Sequence, residues 1–200
     1  MAAYEGYEKS AHLYDLFDDK DNIGLFLKYA AGVAEVMDIG AGTGRIAIPL
    51  ARAGSVVTCV EPSPAMRREF ELKLAAEPEI AARVKMVAGT CAGFDLGRTF
   101  PLAVLSGCFD HFLDDGERLA SLGNVARHLE KGGRLILDSF LGLMGDSPLK
   151  PARSRTGSRS SRWWASPRAV TSSRFWARPV SGFMGNSVII TSLPVRGSDF

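Results

Sequence analysis

The stretch Val36-Met37-Asp38-Ile39-Gly40-Ala41-Gly42-Thr43-Gly44-Arg45 restricts what this chain can fold into more than any other part of it. A short apolar run closes on an acid, glycines follow at three alternate positions, and Ile46-Ala47-Ile48-Pro49-Leu50-Ala51 then opens a helical pattern. The order reads as a buried strand, a glycine loop and a helix. Glycine lets the backbone take positive φ and lets a ligand come close to it. A helix start turns free N–H groups and a partial positive charge toward that ligand. A dinucleotide loop of the form G-x-G-x-x-G would need glycine where Arg45 stands, and the Gly-Lys-Ser/Thr ending of a nucleoside-triphosphate loop is absent. A tight strand-to-helix turn without a ligand is the plainer alternative.

The pattern Asp38-x-Gly40-x-Gly42-x-Gly44 resembles the first motif of the class I S-adenosylmethionine (SAM) dependent methyltransferases. The resemblance extends over about residues 8–145. It includes Glu61-Pro62-Ser63-Pro64-Ala65-Met66 after the second strand and Leu129-Glu130-Lys131-Gly132-Gly133-Arg134-Leu135 before the fifth. It implies a doubly wound, mostly parallel, Rossmann-like α/β sheet with N-terminal helices, SAM as donor and S-adenosylhomocysteine (SAH) as product. On that reading Asp38 and the loop of Gly40, Ala41, Gly42 and Gly44 hold the methionine end of the cofactor. The ammonium suits an acid and the carboxylate suits a helix N-terminus.

Taken in order, Glu8 to Phe17 reads as an amphipathic helix and Asp21 or Asn22 caps a second one through Tyr29, ended by Gly32. Residues 1–33 form a helical cap on this reading. In the family such helices lie over the cofactor, so Tyr7, His12 and Tyr14 are candidates to line an acceptor pocket, with ordinary helix packing as the alternative. Ala34 to Ile39 is the first strand, apolar enough for burial on both faces. Thr43 to Ala53 is the first crossover helix, with a bend expected at Pro49. Ser55 to Val60 is a β-branched second strand that ends on Glu61.

Glu61 lies 17 residues beyond Gly44, where an acid meets a ribose in nucleoside-binding α/β folds. A carboxylate offers acceptors only and can take both sugar hydroxyls. An exposed acid before a Pro-x-Pro turn is the alternative. Ser63 caps the next helix, with Pro64 at its first position. The resemblance places Pro62 with the ribose acid and Met66 beside the adenine. Arg83 to Ala88 is the third strand. After Gly89, relatives usually carry an acid for the adenine amino group, and this chain has Thr90, so the adenine contact passes to Thr90 or to backbone groups of Cys91 and Ala92.

Phe100 to Ser106 is the fourth strand, with Ser106 counted in the cofactor site. The loop that follows, Gly107 to Leu113, faces the reacting methyl, because ligands bind beyond the carboxyl ends of the strands in such sheets. His111 is the candidate base for an amine or hydroxyl acceptor. Asp110 is the alternate, or an orienter of a substrate ammonium. A surface role at the helix entry remains open for His111. Phe109 or an N-terminal tyrosine could face the sulfonium. Asp114 and Glu117 read as a capping box, which gives both a structural task. His128 is expected at the helix C-terminal carbonyls. Arg134 to Phe140 is the fifth strand, so residues 34–145 make up the SAM-binding unit.

Composition shifts at about residue 146. Residues 1–150 carry 16 Lys+Arg against 21 Asp+Glu, whereas residues 151–200 carry 8 against 1. Arg, Ser and Pro dominate there, with Trp163, Trp164 and Trp176, and no period is sustained before Val188-Ile189-Ile190. The fifty residues admit three readings: an out-of-frame or truncated end, a basic-aromatic arm for nucleic acid, or irregular strands. The family's sheet needs two further strands at this point. The acidic body repels phosphate and argues against nucleic acid as partner.

The three cysteines form no CxxC pair, which fits a reducing cytoplasm, and no stretch reads as a signal peptide, a membrane span or a metal framework. The expected function is methyl transfer from SAM to a nitrogen or oxygen of a small molecule. The alternatives are a truncated or impaired relative that binds SAM without turnover, or a nucleic-acid-binding protein or RNA methyltransferase that uses the basic tail.

Overall fold

The structure is a computed structural model and describes residues 7–17, 22–112, 114–139, 151–152, 162–163, 178–180 and 187–192. Its main sheet contains β1 (Glu35–Ile39), β2 (Val56–Glu61), β3 (Val84–Ala88), β4 (Phe100–Leu105), β5 (Leu129–Ser139), β8 (Arg178–Val180) and β9 (Ser187–Ser192). The strand order is β3-β2-β1-β4-β5-β9-β8, and β3 through β5 run parallel. The order reverses between β1 and β4. A crevice opens there at the carboxyl ends, because the connections from these two strands leave in opposite directions.

Alternation along the strands builds two cores. Val36, Val57, Leu102, Val104 and Ile136 face one side, covered by Phe26 of α2 (Ile23–Ala30) and by Ala47, Leu50 and Ala51 of α3 (Ala47–Arg52). Met37, Ile39, Ala103, Leu105 and Leu135 face the other, with Val125 of α6 (Asp115–Arg127). Burial on both faces explains the continuous apolar runs of β1 and β4. Among the described residues, no helix is long and apolar enough to cross a membrane.

Several expectations shift. The first helix is broken: a 3-10 turn at Ala11–Leu13 precedes the short α1 (Tyr14–Phe17). The helix expected from Thr43 begins at Ala47, because the glycine loop continues through Gly44 at φ 90°. Pro49 therefore falls in the first turn of α3, where a missing N–H costs nothing, and the expected bend has no cause. The strand expected from Arg134 begins at Leu129, and the register between Phe100 and Leu102 of β4 shifts to absorb Glu130–Gly133. Gly133 has no room for a Cβ, which would lie 2.9 Å from the Glu130 carbonyl oxygen.

Of the three readings of the chain's end, strands are described at two places in the main sheet. Ser187–Ser192 pairs antiparallel with Arg134–Ser139, and Arg178–Val180 pairs with Val188–Ile190. The free edge of β5 offers a row of unpaired backbone groups, and the β-branched run Val188-Ile189-Ile190 suits it. A second, two-stranded sheet joins β6 (Pro151–Ala152) to β7 (Arg162–Trp163). Trp164, Trp176 and most of residues 146–200 lie outside the described residues.

Candidate functional site

A cavity of about 390 Å³ occupies the crevice at the strand-order reversal. That size lies within the range of small-molecule sites. Its floor is the glycine loop. Gly40, Gly42 and Gly44 all hold positive φ, at 70°, 55° and 90°. Each has a separate reason to be glycine. A Cβ on Gly40 would strike the Cys108 sulfur at 2.7 Å, and one on Gly44 would strike the buried Phe70 ring at 2.4 Å. Above Gly42 the nearest heavy atom is 4.0 Å away, so open space is left over the loop. Gly40 and Gly42 line the cavity. Ala41 and Gly44, expected to touch the cofactor, are outside the cavity lining: Ala41 is buried with its N–H on the Val60 carbonyl, and Gly44 packs on Phe70.

Glu61 stands at the end of β2 on the cavity wall, 6% exposed. Its Oε2 accepts the Gly42 N–H at 2.9 Å and its Oε1 accepts the Ser63 N–H at 2.8 Å. Both oxygens are thus aimed by backbone and keep further lone pairs for a ligand. Burial raises the Glu61 pKa above the ordinary glutamate range, opposed by the two N–H groups and by Arg67. Arg67 is held in place by the Glu61 and Pro62 carbonyls, at 2.6 and 2.8 Å. Ser63 caps α4 (Pro64–Ala75) by accepting the Met66 N–H at 3.3 Å, which puts Met66 on the cavity wall beside Pro62.

Asp38, expected at the methionine end of the cofactor, is 2% exposed, is absent from the cavity lining, and accepts the Ala47 N–H at the start of α3. Among the described residues its Oδ2 has no hydrogen-bond partner. Burial, which outweighs nearby Arg45, pushes its pKa up to about 7.

The far wall comes from the loop after β3 and from α6. Thr90, Cys91 and Ala92 line it together with Glu117 and Ser121. Asn124 Nδ2 ties this loop down through the Cys91 and Phe94 carbonyls, at 2.9 and 3.0 Å. His128 accepts the Leu96 N–H on Nε2 at 3.1 Å and meets the Asn124 carbonyl on Nδ1 at 2.8 Å, which agrees with a carbonyl-binding role. Asp114 caps α6 through the Glu117 N–H at 2.8 Å. Burial raises the thiols of Cys91 (to about 11) and Cys108, so both stay protonated.

After β4, Ser106, Gly107 and Cys108 face the cavity, with His111 and Phe112 beyond them. Behind Ser106 lies a buried network. Asp138 at the end of β5 accepts from Ser106 Oγ at 2.6 Å, from the Gly107 N–H at 2.6 Å and from Asn22, with Arg45 at 3.9 Å. Arg45 also donates to Asn22 and to Ser106. This network joins residues that no motif connects, and only the apolar run around Asp138 hinted at a buried acid.

The N-terminal segment closes the cavity. Asp15 of α1 accepts from the Thr43 hydroxyl at 2.6 Å and pairs with Lys73, which also donates to the Thr43 carbonyl. Tyr7 and Tyr14 line the cavity and meet edge to face at 5.7 Å. The Tyr7 ring stacks on His111 at 6.4 Å. Three further expected residues are not in the lining. His12 is exposed on its 3-10 turn, Asp110 sits half-buried on the Phe109–His111 turn, and Phe109 packs edge to face on Phe112. His111, itself exposed, borders the cavity while its neighbour Asp110 does not.

Comparison with known proteins agrees with this geometry. Residues 36–133 match the family described as "Methyltransferase domain". An uncharacterized methyltransferase of Bacillus thuringiensis is 25% identical over 141 residues, 65% of this chain and 63% of that protein. The chain thus spans under two thirds of the length of the curated relatives it matches. The fold is similar to that of the glycopeptide N-methyltransferase MtfA complexed with SAM (TM-score 0.67, 20% identity, 88% of this chain and 95% of that one). It is also similar to the CcbJ methyltransferase of Streptomyces caelestis (TM-score 0.61, 21% identity, 97% and 81% covered). Residues 36–133 are thus similar to the methyltransferase domain family, and the fold is that of the class I methyltransferases.

Proposed function

We propose that this chain binds SAM in the cavity over Gly42 and transfers its methyl group to a nitrogen or oxygen of a small molecule. The observation that carries the reading is Glu61, a carboxylate set on the cavity wall by two backbone N–H groups beside the open space over Gly42. A vicinal diol needs such an acceptor pair. The cavity volume and the family match support it further.

When bound, SAM supplies a methyl group already activated on a sulfonium. The residues of this chain then have three tasks. Glu61 holds the ribose, and Met66 and the Thr90–Ala92 wall enclose the base. Tyr7 and Tyr14, which pack against Met66, and Phe112 bring aromatic surface to the cavity, where they exclude water and suit a cation. His111 stands against Tyr7 and takes the proton that an amine or hydroxyl acceptor must lose. Alignment of the reactants supplies most of the rate, up to about 7–11 kcal/mol of barrier. A nitrogen acceptor is favoured by the likeness to a glycopeptide N-methyltransferase.

Calorimetry with SAH tests the cofactor half of this reading, and an absence of binding refutes it. Screening small amines and hydroxy compounds for SAH release tests the acceptor half.

A further inference from the structure

One face of α6 and its C-cap carries a polar stripe. Glu117, Ser121, Asn124 and the cap residue His128 recur at helical spacing. Asn124 Nδ2 and His128 Nε2 hold the loop after β3. Glu117 and Ser121, nearer the helix start, line the cavity. Ser121 is 1% exposed, and its hydroxyl lies beside the Cys91 thiol without making a well-formed hydrogen bond. A buried hydroxyl left so is costly unless a ligand completes it. Glu117 lies close enough to Cys91 to raise its thiol electrostatically, which puts the carboxylate at the same wall.

Adenine presents an exocyclic amine, which needs an acceptor, next to a ring nitrogen, which needs a donor. The part of the loop that lines the cavity offers only neutral side chains, since Thr90, Cys91 and Ala92 carry no charge. On the reading that SAM occupies this cavity, we infer that α6 reads the base: Glu117 accepts from the exocyclic amine and the Ser121 hydroxyl donates to the neighbouring ring nitrogen. Specificity for adenine then comes from a helix beyond β4, and the loop after β3 supplies the shape of the slot.

The test compares SAH with S-inosylhomocysteine, in which a carbonyl replaces the amine and the ring nitrogen carries a hydrogen. Calorimetry uses the full chain as wild type, Glu117→Gln and Ser121→Ala. Glutamine keeps the position-three capping chemistry of α6, so the fold is retained. Wild type is expected to favour SAH by about tenfold to a hundredfold, as for a hydrogen bond to a charged group. In Glu117→Gln the preference shrinks at least fivefold, because an amide can donate to the inosine carbonyl. Ser121→Ala weakens SAH by about threefold to tenfold. An unchanged preference in Glu117→Gln overturns the inference. If SAH binds neither wild type nor variants, the proposed function falls as well, which separates the two failures.

Discussion

Removing the Glu61 carboxylate separates its two tasks, binding the ribose and holding the backbone of the glycine loop. In Glu61→Ala the Gly42 and Ser63 N–H groups lose acceptors at 2.9 and 2.8 Å. Each unsatisfied donor costs about 1–3 kcal/mol when buried. Water from the adjoining cavity offsets part of this, which leaves about 1–2 kcal/mol. For a chain of this size that lowers Tm by about 2–8 °C. Binding loses two charge-assisted hydrogen bonds, each worth about 1.5–3 kcal/mol. At the low end of that range the Kd for SAH rises about 150-fold. Differential scanning fluorimetry reads the first number and calorimetry the second. The pH dependence has a fixed sign: burial raises the Glu61 pKa, so protonation on acidification weakens SAH binding from a higher pH than an ordinary glutamate would. An SAH affinity within threefold of wild type, in a folded Glu61→Ala protein, refutes the ribose assignment.

Three further outcomes are expected. Asp38 holds its proton to about pH 7 when folded and near 3.8 when unfolded, so the folded state binds more protons and stability falls as pH rises between these values. The loss is at most about 4 kcal/mol, and urea midpoints for Asp38→Asn should lack it. Gly44→Ala forces a Cβ to 2.4 Å from Phe70 at φ 90°, and should cost about 2–4 kcal/mol in denaturant unfolding. Once an acceptor is found, His111→Ala should lower kcat by about a hundredfold and leave SAH affinity within twofold, and a smaller kcat effect removes the base role.

The parts of this protein that were legible from the chain are those where geometry is local. The glycine spacing, the acid that ends β2 and the Ser63 cap each follow from backbone needs within a few residues, and each stands where it was expected. The Asp38 contact to Ala47 was not legible, because a helix-start contact and a ligand contact demand the same residue in the same motif. Glu117 was read as a cap alone, and it also lines the cavity. Asn22, Arg45, Ser106 and Asp138 are separated by up to 116 residues, and no periodicity announces their meeting. The strand Ser187–Ser192 was marked only by the run Val188-Ile189-Ile190 in an Arg- and Ser-rich stretch.

Three separated stretches of chain converge on Asp138. Asn22 comes from the cap position of α2, Arg45 from the end of the glycine loop, and Ser106 with Gly107 from the turn that leads to His111. Pulling one strut away would leave a desolvated charge behind, at a cost of several kcal/mol. The cap of α2, the glycine loop and the turn that leads to His111 are therefore tied to a single carboxylate.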